Sequence, residues 1–176
     1  MPDVDRFLSE MHKEKLQSQE RRGKLVSQKL TWVSGLFLLG SIRLETIGNP
    51  PINLVLALYL VPVIAIIFDL YISGENFGVK RMGTFIRDQL AEEFEGKWEK
   101  WLVDKRDPFS WYALPFSSAV VLVASGVLLA GAGGKGWRHV LILSVWAALN
   151  AFGIWFVYFR AGRLLGGLNP KKEPAA

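Results

Sequence analysis

The most constraining feature of this chain is where its charges are missing. Residues 52–72 contain Asp69 as their only charged residue, and residues 113–132 and 140–159 contain none. A helix of about 20 apolar residues crosses the ~30 Å of hydrocarbon in a bilayer, and each run has that length. Between the runs, Lys, Arg, Asp and Glu are crowded together. A soluble domain scatters its charges. A chain in a bilayer cannot, because a charge at the bilayer centre costs at least ~2.5 kcal/mol. The 51% hydrophobic content is close to the globular average, so distribution decides where composition does not.

The reading is an all-α integral membrane helical bundle. It has four transmembrane helices, a cytoplasmic N-terminal helix, and a cytoplasmic amphipathic helix between spans two and three. Residues 1–24 form the polar helix, with Asp3 or Asp5 able to accept from the free amides of its first turn. Residues 25–73 carry transmembrane helices one and two. Residues 75–107 are the amphipathic segment, residues 108–163 carry helices three and four, and residues 164–176 form a disordered cytoplasmic tail.

The first span is the shortest. Leu30 to Ile42 is free of charge but brief, and starting at Leu25 takes in Lys29. Such a lysine is expected to snorkel toward the cytoplasmic head groups. The charged stretch before it holds no proline after Pro2, so one continuous rod is expected to run into the span. Asn49-Pro50-Pro51 breaks the helix, because Pro50 lacks an amide donor and each proline disfavours helical geometry in the residue before it. In span two, Pro62 predicts a kink and Ser73-Gly74 a stop. Asp107-Pro108 reads as a cap and first position for the approach to span three.

Within residues 75–110, Met82, Ile86, Leu90, Phe94, Trp98 and Leu102 recur every fourth residue. On a helix with 3.6 residues per turn this row spirals, and the other positions are mostly polar. Gly96 is a candidate break. The segment suits two settings, the inner membrane surface or a face of the N-terminal helix. Glu92, Glu93 and Glu95 favour helix packing, since an anionic membrane surface repels them. Phe94, Trp98, Trp101 and Leu102 form the candidate interaction face.

Orientation follows from positive charge. Of the 21 Lys and Arg residues, only Arg43, Lys135 and Arg138 fall in the loops between spans one and two and between spans three and four. The excess on the other side places both termini and the middle segment in the cytoplasm, with a bacterial inner membrane as the expected location. The net charge of +5 then reads as membrane flanks, and no nucleic-acid partner is expected. The first two dozen residues lack the apolar core of a secretory signal. The absence of cysteine excludes disulfides and thiol chemistry.

Few residues invite a chemical role. Residues 131–136, GAGGKG, lack the glycine spacing of a phosphate loop and the Ser or Thr that follows its lysine, and read as a turn. His12 and His139 fall on opposite sides of the membrane, and neither has ligand spacing nearby. No cofactor and no metal is expected. Asp69 is the strongest candidate, because an ionisable side chain within a span is a functional candidate by default. It lies near the cytoplasmic end, where Lys80 or Arg81 would be its partner. Arg43 and Glu45 read as a polar pair at the outer boundary, and Asn150 as a hydrogen bond between helices. Ser144, Ala147, Ala148 and Ala151 in span four, with Gly126 and Ala130 in span three, suit close packing.

These readings point to a non-enzymatic membrane subunit or scaffold whose partners are the lipid bilayer and either a second copy or another membrane protein. A homo-oligomeric pore or membrane-perturbing effector is the first alternative, resting on Asp69 and the small-residue seams. A membrane enzyme or transporter is the second.

Overall fold

The computed structural model describes residues 4–41, 55–89, 96–98, 100–101, 112–132 and 136–166. They are almost entirely helical. Four long helices are present: α1 (Val4–Ser41), α2 (Val55–Gln89), α3 (Ala113–Ala132) and α4 (Trp137–Gly166). Residues 96–98, 100 and 101 are helical as well. Three helices are long and apolar enough to cross a membrane, within Val55–Asp88, Ala113–Gly131 and Trp137–Arg160.

The polar N-terminal segment and the first apolar run form one helix, α1, without interruption. The expected stop at Ser73-Gly74 does not occur, and α2 continues for fifteen residues to Gln89. No described glycine adopts a positive φ, so Gly74 takes ordinary helical geometry. A mid-helix glycine costs about 1 kcal/mol relative to alanine. Contact with α1 over the following turns offsets it, because Met82 and Ile86 are buried there and Phe85 meets Phe7 edge to face. The first part of the amphipathic segment is therefore the continuation of α2.

α2 is the central helix and packs against the other three, whereas α1 and α4 do not meet among the described residues. α1 and α2 pair antiparallel in one register. Arg22 donates to Asn76 at 3.1 Å. Seven residues along each helix lies Lys29 beside Asp69, and eleven further lies Gly40 against Leu58. The buried positions 58, 61, 65, 69 and 72 of α2 follow steps of three and four, the spacing of a seam between nearly parallel helices. Gly40 is needed at this crossing, since a Cβ there would lie 2.5 Å from Leu58 Cγ.

α4 closes on α2 by shape and through a polar contact. Gly153 faces Ile66, and the Trp146 indole donates to the Tyr59 carbonyl at 3.0 Å. Pro62 has no amide to offer the carbonyl four residues earlier, and backbone near such a site is open to outside donors. Exposed Leu, Val, Ile and Phe cover the outside of α3 and α4. Such a surface is incompatible with water and ordinary in lipid.

Candidate functional site

Lys29, Asp69, Ser117 and Ser118 converge where α1, α2 and α3 meet. Lys29 is 6% exposed, Asp69 2% and Ser118 1%. Lys29 does not snorkel. Its Nζ lies 2.6 Å from Asp69 Oδ1, 2.8 Å from Ser117 Oγ and 3.1 Å from Ser118 Oγ.

The hydrogens can be assigned around this ring. The Ser118 hydroxyl donates to Asp69 Oδ2, and the Ser117 hydroxyl donates to the Leu114 carbonyl at 2.8 Å. Each serine hydrogen is thus committed, so each oxygen accepts from Lys29. An ammonium has three donors, and here it finds three acceptors. Both carboxylate oxygens of Asp69 are engaged. The layer is closed, neutral and shared among three helices, the condition under which a buried ion pair is tolerated.

Local sequence places each member. Lys29 occupies the same stripe of α1 as Val33 and Gly40, and Asp69 the same stripe of α2 as Leu58, Val61, Ala65 and Ile72. Both charges therefore stand at core positions. On α3, Pro115 occupies the first turn, and the buried face runs Ser118, Ser125, Leu129. Directly beside the polar layer, Val33, Val61 and Ala65 form an apolar cluster with Leu36, Phe37 and Val121. The charge pair is thus capped by hydrocarbon side chains on one side.

Asp69 is paired, but neither with Lys80 nor with Arg81; its partner is forty residues earlier in the chain. Asn150 is buried, yet its Nδ2 donates to the Trp146 carbonyl of its own helix at 2.8 Å. The polar contact between helices is instead made by Trp146. Arg43, Glu45, Phe94 and Leu102 lie outside the described residues. Trp98 and Trp101 stack at 5.1 Å and are half exposed. Of the small-residue face of α4, Ser144, Ala148 and Ala151 are exposed, while Gly126 of α3 faces Trp146.

Sequence reading missed Lys29, Ser117 and Ser118. A signal existed. Lys29 lies five residues inside Lys24, Asp69 five residues inside Gly74, and Ser117 five residues inside Tyr112. Equal depth in adjacent helices is a criterion for pairing that composition alone does not supply.

Chemically, a lysine beside two serines resembles a base beside a nucleophile, but a base needs a free lone pair. Lys29 has its three ammonium hydrogens directed at acceptors, and Asp69 supplies the counter-charge. Among the described residues no cluster of three His, Cys, Asp or Glu side chains is placed to hold a metal ion. His139 Nε2 is buried without a hydrogen-bond partner among the described residues, near the start of α4. No family model, curated protein or solved structure matches the chain.

Proposed function

We propose that this chain is a non-enzymatic multi-pass membrane subunit whose α1–α2 hairpin carries a binding arm out of the bilayer. The supporting observation is length. α2 has 35 residues and α1 has 38, about 52 and 57 Å of helix, against ~30 Å of hydrocarbon. The excess lies on the side of Lys24 and Gly74, where the seam continues through Arg22–Asn76 and Phe7–Phe85. A helix pair that stays zipped beyond the membrane is a rigid support for a contact surface.

In this reading the apolar end of α1 crosses with α2, α3 and α4 as a fourth span. Lys29 is acceptable in such a span because Asp69 and two serines solvate it in place of water. Both termini, the arm and the Trp98–Trp101 pair then share the cytoplasmic side that the positive charges favour. The partner is a second copy or another membrane protein, held by the arm and the exposed tryptophans.

The deciding experiment is the native mass of the protein extracted gently from its own membrane, with Trp98→Ser/Trp101→Ser compared with the unaltered chain. The reading expects a defined complex with a second protein or a second copy that the double substitution dissociates. A monomer insensitive to the substitution overturns it. A ring of identical chains that conducts ions in liposomes replaces it with the pore reading.

A further inference from the structure

The geometry points to an anionic phospholipid site between α2 and α4, with Arg160 holding the phosphate and Ile67, Leu70 and Val157 holding the start of an acyl chain. The site is a cleft of about 370 Å³ lined by Ile67, Leu70, Tyr71, Ser73, Gly74, Val157 and Arg160. That volume falls at the small end of ligand pockets.

Its polarity is graded along the membrane normal. Ile67, Leu70 and Val157 belong to the apolar runs of α2 and α4, in which Asp69 is the only charge and is turned to Lys29, whereas Ser73, Gly74 and Arg160 mark their ends. The cleft thus has apolar walls at hydrocarbon depth and a guanidinium and a hydroxyl at head-group depth. A phospholipid has the same gradient. Ile67, Leu70 and Tyr71 are exposed on the outside of the bundle, so the cleft opens to the bilayer.

Charge selects the lipid. No described ion pair engages Arg160, and neither acid of this stretch of α2 lines the cleft. Asp69 is committed to Lys29, and Glu75 lies outside the lining. Arg163, one turn further, stands over the Phe159 ring at 4.2 Å and adds a second positive charge to this end of α4. An arginine fork pairs with two phosphate oxygens at once, and a basic pocket between membrane helices selects anionic head groups. Gly74 lines the cleft where a Cβ would meet nothing within 4 Å, so a larger side chain can be introduced there without a clash. This inference rests on the chain lying in a bilayer and does not depend on the subunit reading.

The test is native mass spectrometry of the full chain reconstituted with phosphatidylcholine and a minority of phosphatidylglycerol, counting phosphatidylglycerol retained per protein. The unaltered chain is expected to retain one more anionic lipid than Arg160→Gln, whose occupancy falls about tenfold, as loss of one charge-assisted contact implies. Gly74→Phe, which fills the mouth without touching the core, is expected to lower retention equally with Arg160 in place. Arg138→Gln, at the other end of α4, is expected to change nothing. Equal retention in all four proteins overturns the site. Displacement of the lipid by excess glycerol phosphate shows an anion site indifferent to acyl chains, and overturns its assignment to a phospholipid.

Discussion

Between Lys29 and Gly40 the α1–α2 seam turns Lys29 and Asp69 inward and leaves Leu30, Trp32, Leu38 and Leu39 outside. Between Arg6 and Ser18 the same two helices turn Met82 inward and bring Phe7 to Phe85, leaving Arg6, Lys13, Gln17 and other polar residues outside. Inside, both stretches are mainly apolar, with Val33, Leu58, Val61, Ala65 and Ile72 flanking the Lys29–Asp69 layer; what inverts is the outside, apolar in one stretch and polar in the other. In hydrocarbon the groups that must be hidden are those that need hydrogen bonds, because the solvent offers none. In water the groups that must be hidden are apolar. One helical hairpin thus pairs an apolar outside and a buried ion pair toward one end with a polar outside toward the other.

The largest expected effect is at the polar layer. Lys29→Met leaves Asp69 charged and unpaired, and Asp69→Leu leaves Lys29 so. Each is expected to cost about 3–5 kcal/mol of stability, measured by denaturant unfolding in mixed micelles. The double variant Lys29→Met/Asp69→Leu is expected to recover most of that loss, since two apolar side chains replace a neutral pair. Two neutral single variants would break the comparison at its root.

The next effect is steric. Gly40→Val is expected to destabilise by about 1–3 kcal/mol in the same assay, because its Cβ would sit 2.5 Å from Leu58 Cγ and 3.3 Å from the Leu58 backbone nitrogen. Gly35→Ala, with nothing within 4 Å of its Cβ, is expected to stabilise by up to ~1 kcal/mol. Equal behaviour at the two positions would mean that α1 does not meet α2 at that register.

In the arm, Phe7→Ala is expected to remove about 0.5–1.5 kcal/mol of edge-to-face contact. Faster hydrogen exchange should appear in residues 4–24 and 75–89 only, leaving the apolar spans unchanged. Acceleration throughout the chain would show that the two halves of the seam fold as one unit. The smallest effect is expected for Arg22→Gln, whose bond to Asn76 is exposed, at under ~0.5 kcal/mol in the unfolding assay.

The sequence made the apolar helices legible because hydropathy is local. Residues 113–132 and 140–159 were readable at sight, and α3 and α4 cover them. The continuity of α1 was equally legible, since no proline interrupts it. The fate of Ser73-Gly74 was not, because a glycine that ends a helix and one that packs through it differ only in what lies opposite. Lys29 failed for a related reason. A lysine at the edge of an apolar run has the same composition whether it reaches for water or for a carboxylate forty residues away. Asp69 was singled out by being alone, and loneliness in sequence is what a partner on another helix looks like. Asn150 reads in sequence as a hydrogen bond between helices, but its amide is satisfied within one turn of its own helix, an option always open to a side chain four residues past a carbonyl.

The closeness of Lys29 to Asp69 also has an electrical consequence. A charge carried across the whole membrane is worth about 2.3 kcal/mol for every 100 mV. Two opposite charges 2.6 Å apart, at one depth and moving together, carry almost none between them. Displacing this pair across a membrane would therefore move almost no net charge, whereas a lone aspartate at the same place would move a full one.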